Sequence, residues 1–181
     1  MEAVETIAFQ ESRAVAREDR FAELVERQSR FVFRVAYALL RNTHDSEDVV
    51  QETFLKLYRA GAWEALQNER AFLARAAWRL AVDKLRKARH EPLNPETAQR
   101  GANPEDAAVT ADWNAAVERL MNALPPELRQ PLALATLDEL SSREIAEVMG
   151  IAEGTVRTRI LRARQILKQK LAGLMEGHHG K

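Results

Sequence analysis

Between Gly154 and Lys170 the charged side chains are Arg157, Arg159, Arg162, Arg164, Lys168 and Lys170, with no acid among them. On a helix, Thr158, Leu161, Arg162 and Gln165 fall on one face, with Arg157 and Arg164 beside it. These side-chain types can read a DNA major groove. A guanidinium matches the two acceptors of guanine and a glutamine amide matches adenine, each good pair giving about 1–3 kcal/mol of discrimination. Arg159 and Lys168 suit phosphates, which fix register rather than sequence. The plainer reading is a basic helix that docks on another protein.

A second basic constellation lies upstream. Arg70, Arg75, Arg79, Lys84, Arg86, Lys87 and Arg89 face a lone Asp83. Helical spacing sets Arg75, Arg79, Val82, Arg86 and Arg89 in one stripe, turns Leu73, Ala77, Leu80 and Ala81 inward, and lets Lys84 and Lys87 widen the basic surface. Such a stripe neutralises phosphates and makes binding salt-dependent, unless it is simply a solvated face. Trp63, in the loop before it, could stack on an unpaired base or cover the edge of the core.

The third constellation is acidic. His44 to Glu52 carries Asp45, Glu47, Asp48 and Glu52 without a base. Asp48, Gln51, Glu52 and Leu55, at i, i+3, i+4 and i+7, share an expected exposed face, while Val50, Phe54, Leu57 and Tyr58 share an inward one. An acidic face with an apolar residue in it suits a basic protein partner. Alternatively, its acids only complement the helix dipole.

Catalytic signatures are absent. The four histidines, His44, His90, His178 and His179, are scattered or terminal, and there is no glycine-rich phosphate loop or nucleophile elbow. The lack of cysteine excludes disulfides and thiolate zinc sites. No cofactor or metal is expected, nor an enzyme.

The elements that must position these side chains read as helices. Ile145, Ala146 and Met149 repeat at helical spacing, Gly150 interrupts, and Ile151 returns to a core. Val156, Ile160, Ala163 and Leu167 then mark the buried side of the basic helix, completing a helix-turn-helix pattern. Upstream, one helix opens near Phe21 and a second is capped by Asp45 or Ser46 and stops at Gly61, before a third from about Glu69 to Ala88. Residues 91–112, with three prolines and little apolar content, read as a flexible linker. Beyond it come Trp113, Val117, Leu120 and Leu124, then Pro125-Pro126 as a turn and helix start. Pro131 predicts that the next helix begins late or is kinked.

The fold class is therefore all-α: two small helical domains, 21–90 and 113–173, joined by a linker, with an extension at 1–20 and a tail at 174–181. The 181 residues, 46% hydrophobic and 30% charged, suffice for that layout. The 27 basic and 27 acidic residues cancel, but their segregation, not the sum, decides what each surface attracts. The first residues lack the pattern of a secretion signal and no apolar run approaches a membrane span, so a soluble, cytoplasmic protein without membrane insertion is expected.

Three stretches in this order resemble bacterial RNA polymerase sigma factors of the extracytoplasmic-function group. DSEDVVQETFLKLYR is similar to the family's core-binding helix and FLARAAWRLAVDKLRKARH to its minus-ten helix. LPPELRQPLALATLDELSSREIAEVMGIAEGTVRTRILRARQ is similar to its minus-thirty-five domain. The resemblance implies a promoter-specificity subunit whose two domains are sigma regions 2 and 4. It implies that Asp48, Gln51 and Glu52, with Leu55 on the same face, dock on core polymerase through beta prime, beta being the other large subunit met. The loop Gly61–Asn68 would hold a flipped minus-ten base, with Trp63, Arg75, Arg79, Asp83, Arg86 and Lys87 near the melting strand. Arg157, Thr158, Leu161, Arg162 and Gln165 would read the minus-thirty-five element. The linker would thread toward the RNA exit path, and an anti-sigma factor that covers both domains is a further implied partner. The chain departs from the family at Trp78-Arg79, where an Arg-Asn pair is usual, and at Leu161, often a larger side chain. Two other readings stay open: a helix-turn-helix regulator acting without polymerase, and a protein-interaction adaptor.

Overall fold

In the computed structural model, residues 2–90, 108–137 and 140–178 are described, with side chains over 15–61, 63–88, 115–137 and 140–172. Among them run α1 (Glu2–Leu40), α2 (Thr43–Ala60), a short 3-10 turn (Ala62–Ala65), α3 (Glu69–His90), α4 (Ala108–Asn122), α5 (Pro126–Ala135), α6 (Ser142–Met149) and α7 (Glu153–His178). The described residues form no strand. Residues 91–107 of the expected linker 91–112, the side chains of Arg89 and Trp113, and the end of the tail lie outside the described residues, whereas residues 108–112 belong to α4 and not to a linker.

The first half is a three-helix bundle. Leu24, Phe31, Val32 and Val35 of α1 meet Val49, Phe54 and Leu57 of α2 and Leu73, Ala77 and Ala81 of α3, all buried. Fully burying side chains of this size stabilises by about 1.5–3 kcal/mol each for the larger ones, so this face fixes the orientation of all three helices. Phe21 closes the lower end, its ring 4.9 Å from Tyr58 and 5.2 Å from Trp63.

Helix ends follow local chemistry, with some corrections to the sequence reading. α1 does not begin near Phe21 but includes residues from Glu2 onward, so the extension and the first bundle helix are one element. The cap of α2 is neither Asp45 nor Ser46. Asn42 accepts from the Asp45 backbone N–H at 2.9 Å, and Ser46, three residues into the helix, is buried and donates to the Asn42 carbonyl. Gly61 ends α2 at φ 67°, a left-handed conformation that side chains other than glycine adopt at a cost. α5 does not start late. It opens with Pro126 in the first turn and passes through Pro131, whose ring is buried. The carbonyl that loses its partner belongs to Glu127, an exposed residue near the helix start.

In the second half, α5, α6 and α7 bury Leu132, Leu134, Ile145, Val148, Val156, Ile160 and Ala163. Ser141 caps α6 in a reciprocal arrangement: its side chain accepts from the Glu144 N–H, and the Glu144 carboxylate accepts from the Ser141 N–H at 2.8 Å. Gly150 then takes φ 69° and turns the chain directly into α7. The halves also touch each other. α6 lies along α3, with Arg75 3.2 Å from Glu147 and Asn68 donating to Glu144 at 3.1 Å. α1 meets the start of the second half through Tyr37 and Arg41, both reaching Glu118, and through Arg34, which donates to the Thr136 carbonyl.

Candidate functional site

The recognition face of α7 stands clear of the core. Arg157, Thr158, Leu161, Arg162 and Gln165 are all exposed, whereas Val156, Ile160 and Ala163 on the opposite side are buried. Leu161 is 58% exposed, an apolar side chain left in water at the centre of a basic surface. The Thr158 hydroxyl donates to the Gly154 carbonyl at 2.8 Å, which fixes its rotamer. Arg157 pairs with Glu153 one turn earlier. An exposed pair at that spacing is worth about 0.3–0.5 kcal/mol, so a phosphate or base can displace the glutamate.

On α3, Arg79, Asp83, Arg86 and Lys87 are exposed, and Trp78 is buried in the bundle. Two basic residues of the expected surface are already engaged. Arg75 is half-buried and held by Glu147. Lys84 sits between Asp45 at 2.9 Å and Asp48 at 2.6 Å, tying α3 to the start of α2. It therefore does not widen the basic surface. The hydrogen bond from Lys84 holds the Asp48 carboxyl below its ordinary range. Burial alone would lower the Lys84 ammonium, but the hydrogen bonds with Asp48 and Asp45 outweigh it and leave it raised.

The acidic face divides accordingly. Gln51, Glu52 and Leu55 are exposed, Leu55 at 48%, and among the described residues Glu52 pairs only with Lys56 on its own helix. Asp48, expected to be exposed with them, is half-buried and partnered by Lys84. Beside this face Phe33, Val50 and Gln51 line an open apolar groove with Ser29, Arg30 and Glu47.

Trp63 is not a free stacking surface: it is 7% exposed and rests on Phe21, so it covers the edge of the core. It also lines a cleft of about 490 Å³ with Arg20, Glu23, Leu24, Arg27, Glu64 and Glu69. Its indole Nε1 is buried with no hydrogen-bond partner among the described residues. A buried donor left unpaired costs about 1–3 kcal/mol.

Two family models match the chain: sigma-70 region 2 over residues 24–91 and sigma-70 region 4 over residues 114–167. The ECF RNA polymerase sigma factor SigW of Bacillus subtilis is 31% identical over 171 residues, covering 87% of this chain and 91% of SigW. The chain belongs to the ECF sigma factors of the sigma-70 family. It directs RNA polymerase to promoters and is not itself an enzyme. The sigma-E factor of Haemophilus influenzae is likewise similar to this sigma factor, at 33% identity over 165 residues, 81% of this chain and 86% of that one. Among solved structures, CnrH in complex with the cytosolic domain of CnrY is 25% identical with a TM-score of 0.58, covering 86% of this chain and 90% of that one. The sigma factor RpoE of Bartonella quintana, solved with the anti-sigma factor NepR, has the same fold at 20% identity, with a TM-score of 0.65 over 84% of this chain and 97% of that chain. Residues 1–23 of this sigma factor lie ahead of both matched regions.

Sequence reasoning missed three features of the sigma factor: the lysine between two aspartates, the seam between α3 and α6, and the arginines of α1 that reach the loop around Trp63. Each joins residues 36 or more positions apart, and helical periodicity carries no signal about such pairings. Among the described residues no helix is long and apolar enough to cross a membrane, and no cluster of His, Asp or Glu could hold a metal ion.

Proposed function

We propose that this sigma factor divides promoter recognition among three surfaces. Region 2, over 21–90, docks on the beta prime subunit through Gln51, Glu52 and Leu55, with Asp48 at the margin of the contact, and beta meets the rest of the assembled factor. Arg75, Arg79, Asp83, Arg86 and Lys87 follow the strand as it melts at the minus-ten element. The cleft beside Trp63 takes the extruded base. Region 4, over 113–173, reads the minus-thirty-five element with Arg157, Thr158, Leu161, Arg162 and Gln165. The segment 91–107 tethers the two. The factor works in the cytoplasm, and an anti-sigma factor is its natural restraint.

The observation that carries this reading is the exposure of all five α7 residues opposite a fully buried seam. Exposed Arg and Gln at that spacing match base edges, and Leu161 matches a thymine methyl. Holoenzyme assembled from core polymerase and the full chain tests it. Leu55→Asp with Glu52→Lys is expected to abolish core binding, and Arg162→Ala to relax preference at a single minus-thirty-five position. Loss of neither would refute the assignment.

A further inference from the structure

The long α1 places two arginines of the N-terminal stretch, outside both matched regions, against the loop that follows α2. The Arg17 Nε lies 3.5 Å from Glu64 Oε1, and Arg20 donates to the same oxygen at 3.1 Å. The Arg17 guanidinium also stands over two rings, 5.7 Å from the centre of Tyr58 and 5.9 Å from that of Trp63. Its tip comes close to Gly61, the left-handed residue where α2 ends and the loop begins. One side chain thus touches the start of the loop, its central glutamate and its tryptophan. Arg20 is at once a partner of Glu64 and a wall of the cleft.

Trp63 and Leu66 anchor the loop to the core and Asn68 donates to Glu144, but among the described residues its central Glu64 is paired only with Arg17 and Arg20. Between Gly61 and Glu69 it forms a single 3-10 turn, and Glu64, Ala65, Gln67 and Asn68 are exposed. A segment of that kind samples many conformations unless neighbours restrict it, and capture of an extruded base demands one shape. We infer that Arg17 and Arg20 are positioning residues: they hold the loop Gly61–Asn68 in its base-accepting shape and so set how sharply the sigma factor discriminates at the extruded minus-ten base. This deepens the reading under which the cleft beside Trp63 takes that base, and it gives the N-terminal extension a task. The contacts are exposed ion pairs and cation–π contacts, weak one by one. Together they bias the loop without locking it, which suits a loop that must admit and release a base.

The test uses holoenzyme made from core polymerase and the full chain, with a pool of duplexes randomised across both promoter elements. Heparin-resistant complexes are sequenced, and base preference is read position by position. Arg17→Ala with Arg20→Ala is expected to flatten preference at the extruded base about tenfold. Preference at the minus-thirty-five element, core affinity and helical content should stay unchanged. Glu64→Gln, which keeps the shape of the side chain, is expected to show part of the same loss. The exchange Arg20→Glu with Glu64→Arg should restore much of it. Retained preference at the extruded base in the double variant would overturn the inference while leaving the cleft assignment intact. Loss of preference at every position alike would overturn it too, because a general folding defect would then account for the effect. If the wild-type holoenzyme shows no preference at any minus-ten position, the underlying reading of the cleft fails instead.

Discussion

Reversing the charge of Glu147 should open the molecule. The minus-ten and minus-thirty-five elements lie by their positions about 25 base pairs apart, or ~85 Å at about 3.4 Å per pair. In the structure Arg75 is within 3.2 Å of Glu147. Arg162 follows Glu147 by fifteen residues, a chain length that spans at most about 50 Å. The two reading surfaces are therefore too close to engage both elements, and promoter binding requires α6 to leave α3. An exposed pair such as Arg75–Glu147 contributes about 0.5 kcal/mol, and Glu147→Arg replaces that attraction with a repulsion of similar size. The swing of about 1 kcal/mol shifts the balance of closed and open forms roughly fivefold. Energy transfer between dyes on Arg59 of α2 and Lys168 of α7, both exposed, reads the separation directly. The open fraction should rise about fivefold in Glu147→Arg, rise with salt in the wild type, and fall again when Arg75→Glu is added. A distance distribution that is the same in all three proteins would refute the reasoning.

Four further outcomes are expected. Ser141→Ala removes the hydroxyl that accepts from the Glu144 N–H and donates to its carboxylate, keeping only the backbone half of the reciprocal cap on α6, and should cost about 1 kcal/mol in denaturant unfolding of the second domain. Arg162→Ala should lose about 1–3 kcal/mol of discrimination at one base position in competition binding, whereas Arg159→Ala should weaken all sequences alike and lower the salt dependence. Asp48→Lys sets an ammonium against Lys84 and should lower the melting temperature of the first domain, by about 4–8 °C for each kcal/mol lost. Glu52→Lys should instead reduce core affinity with little change in melting. On acidification, stability should fall. Asp48 and Glu144 both sit below the ordinary carboxylate range, Asp48 through its bond from Lys84 and Glu144 through the Ser141 backbone and side chain. The unfolded chain then binds more protons than the folded one. Their stabilisation is complete above about pH 5 and is lost as pH falls through their folded values, a trend visible in urea midpoints across that window.

Periodicity was enough to recover the helix-turn-helix, because its apolar positions, its glycine and its basic face all lie within 30 consecutive residues. Val156, Ile160 and Ala163 are buried and Leu161 exposed, as the spacing of α7 predicts. The continuation of α1 back to Glu2 was not legible, since residues ahead of Phe21 carry no sustained apolar stripe to announce it. Pro131 misled for a different reason. A proline penalises the helix interior, but here the lost bond falls near the helix start, where carbonyls still reach water and the ring adds to the core. At the functional surfaces, side-chain type proved a better guide than accessibility. Asp48, Lys84 and Arg75 have the chemistry their motifs suggest, yet each is partly occupied by a partner from another helix. Trp63 shows the same limit: the sequence places an indole in a loop, and only the packing of Phe21 and Arg17 turns it into the wall of a cleft.

The division of surfaces is tested most directly by reconstitution. Core polymerase, the full chain and a randomised promoter pool should yield open complexes only when all three are present, with sequence preference confined to two blocks about 25 base pairs apart. Alanine at Arg162 should erase preference in the upstream block alone, and Leu55→Asp should remove the complexes altogether. A folded chain that fails to bind core polymerase, or that selects a single symmetric site without it, would contradict the account.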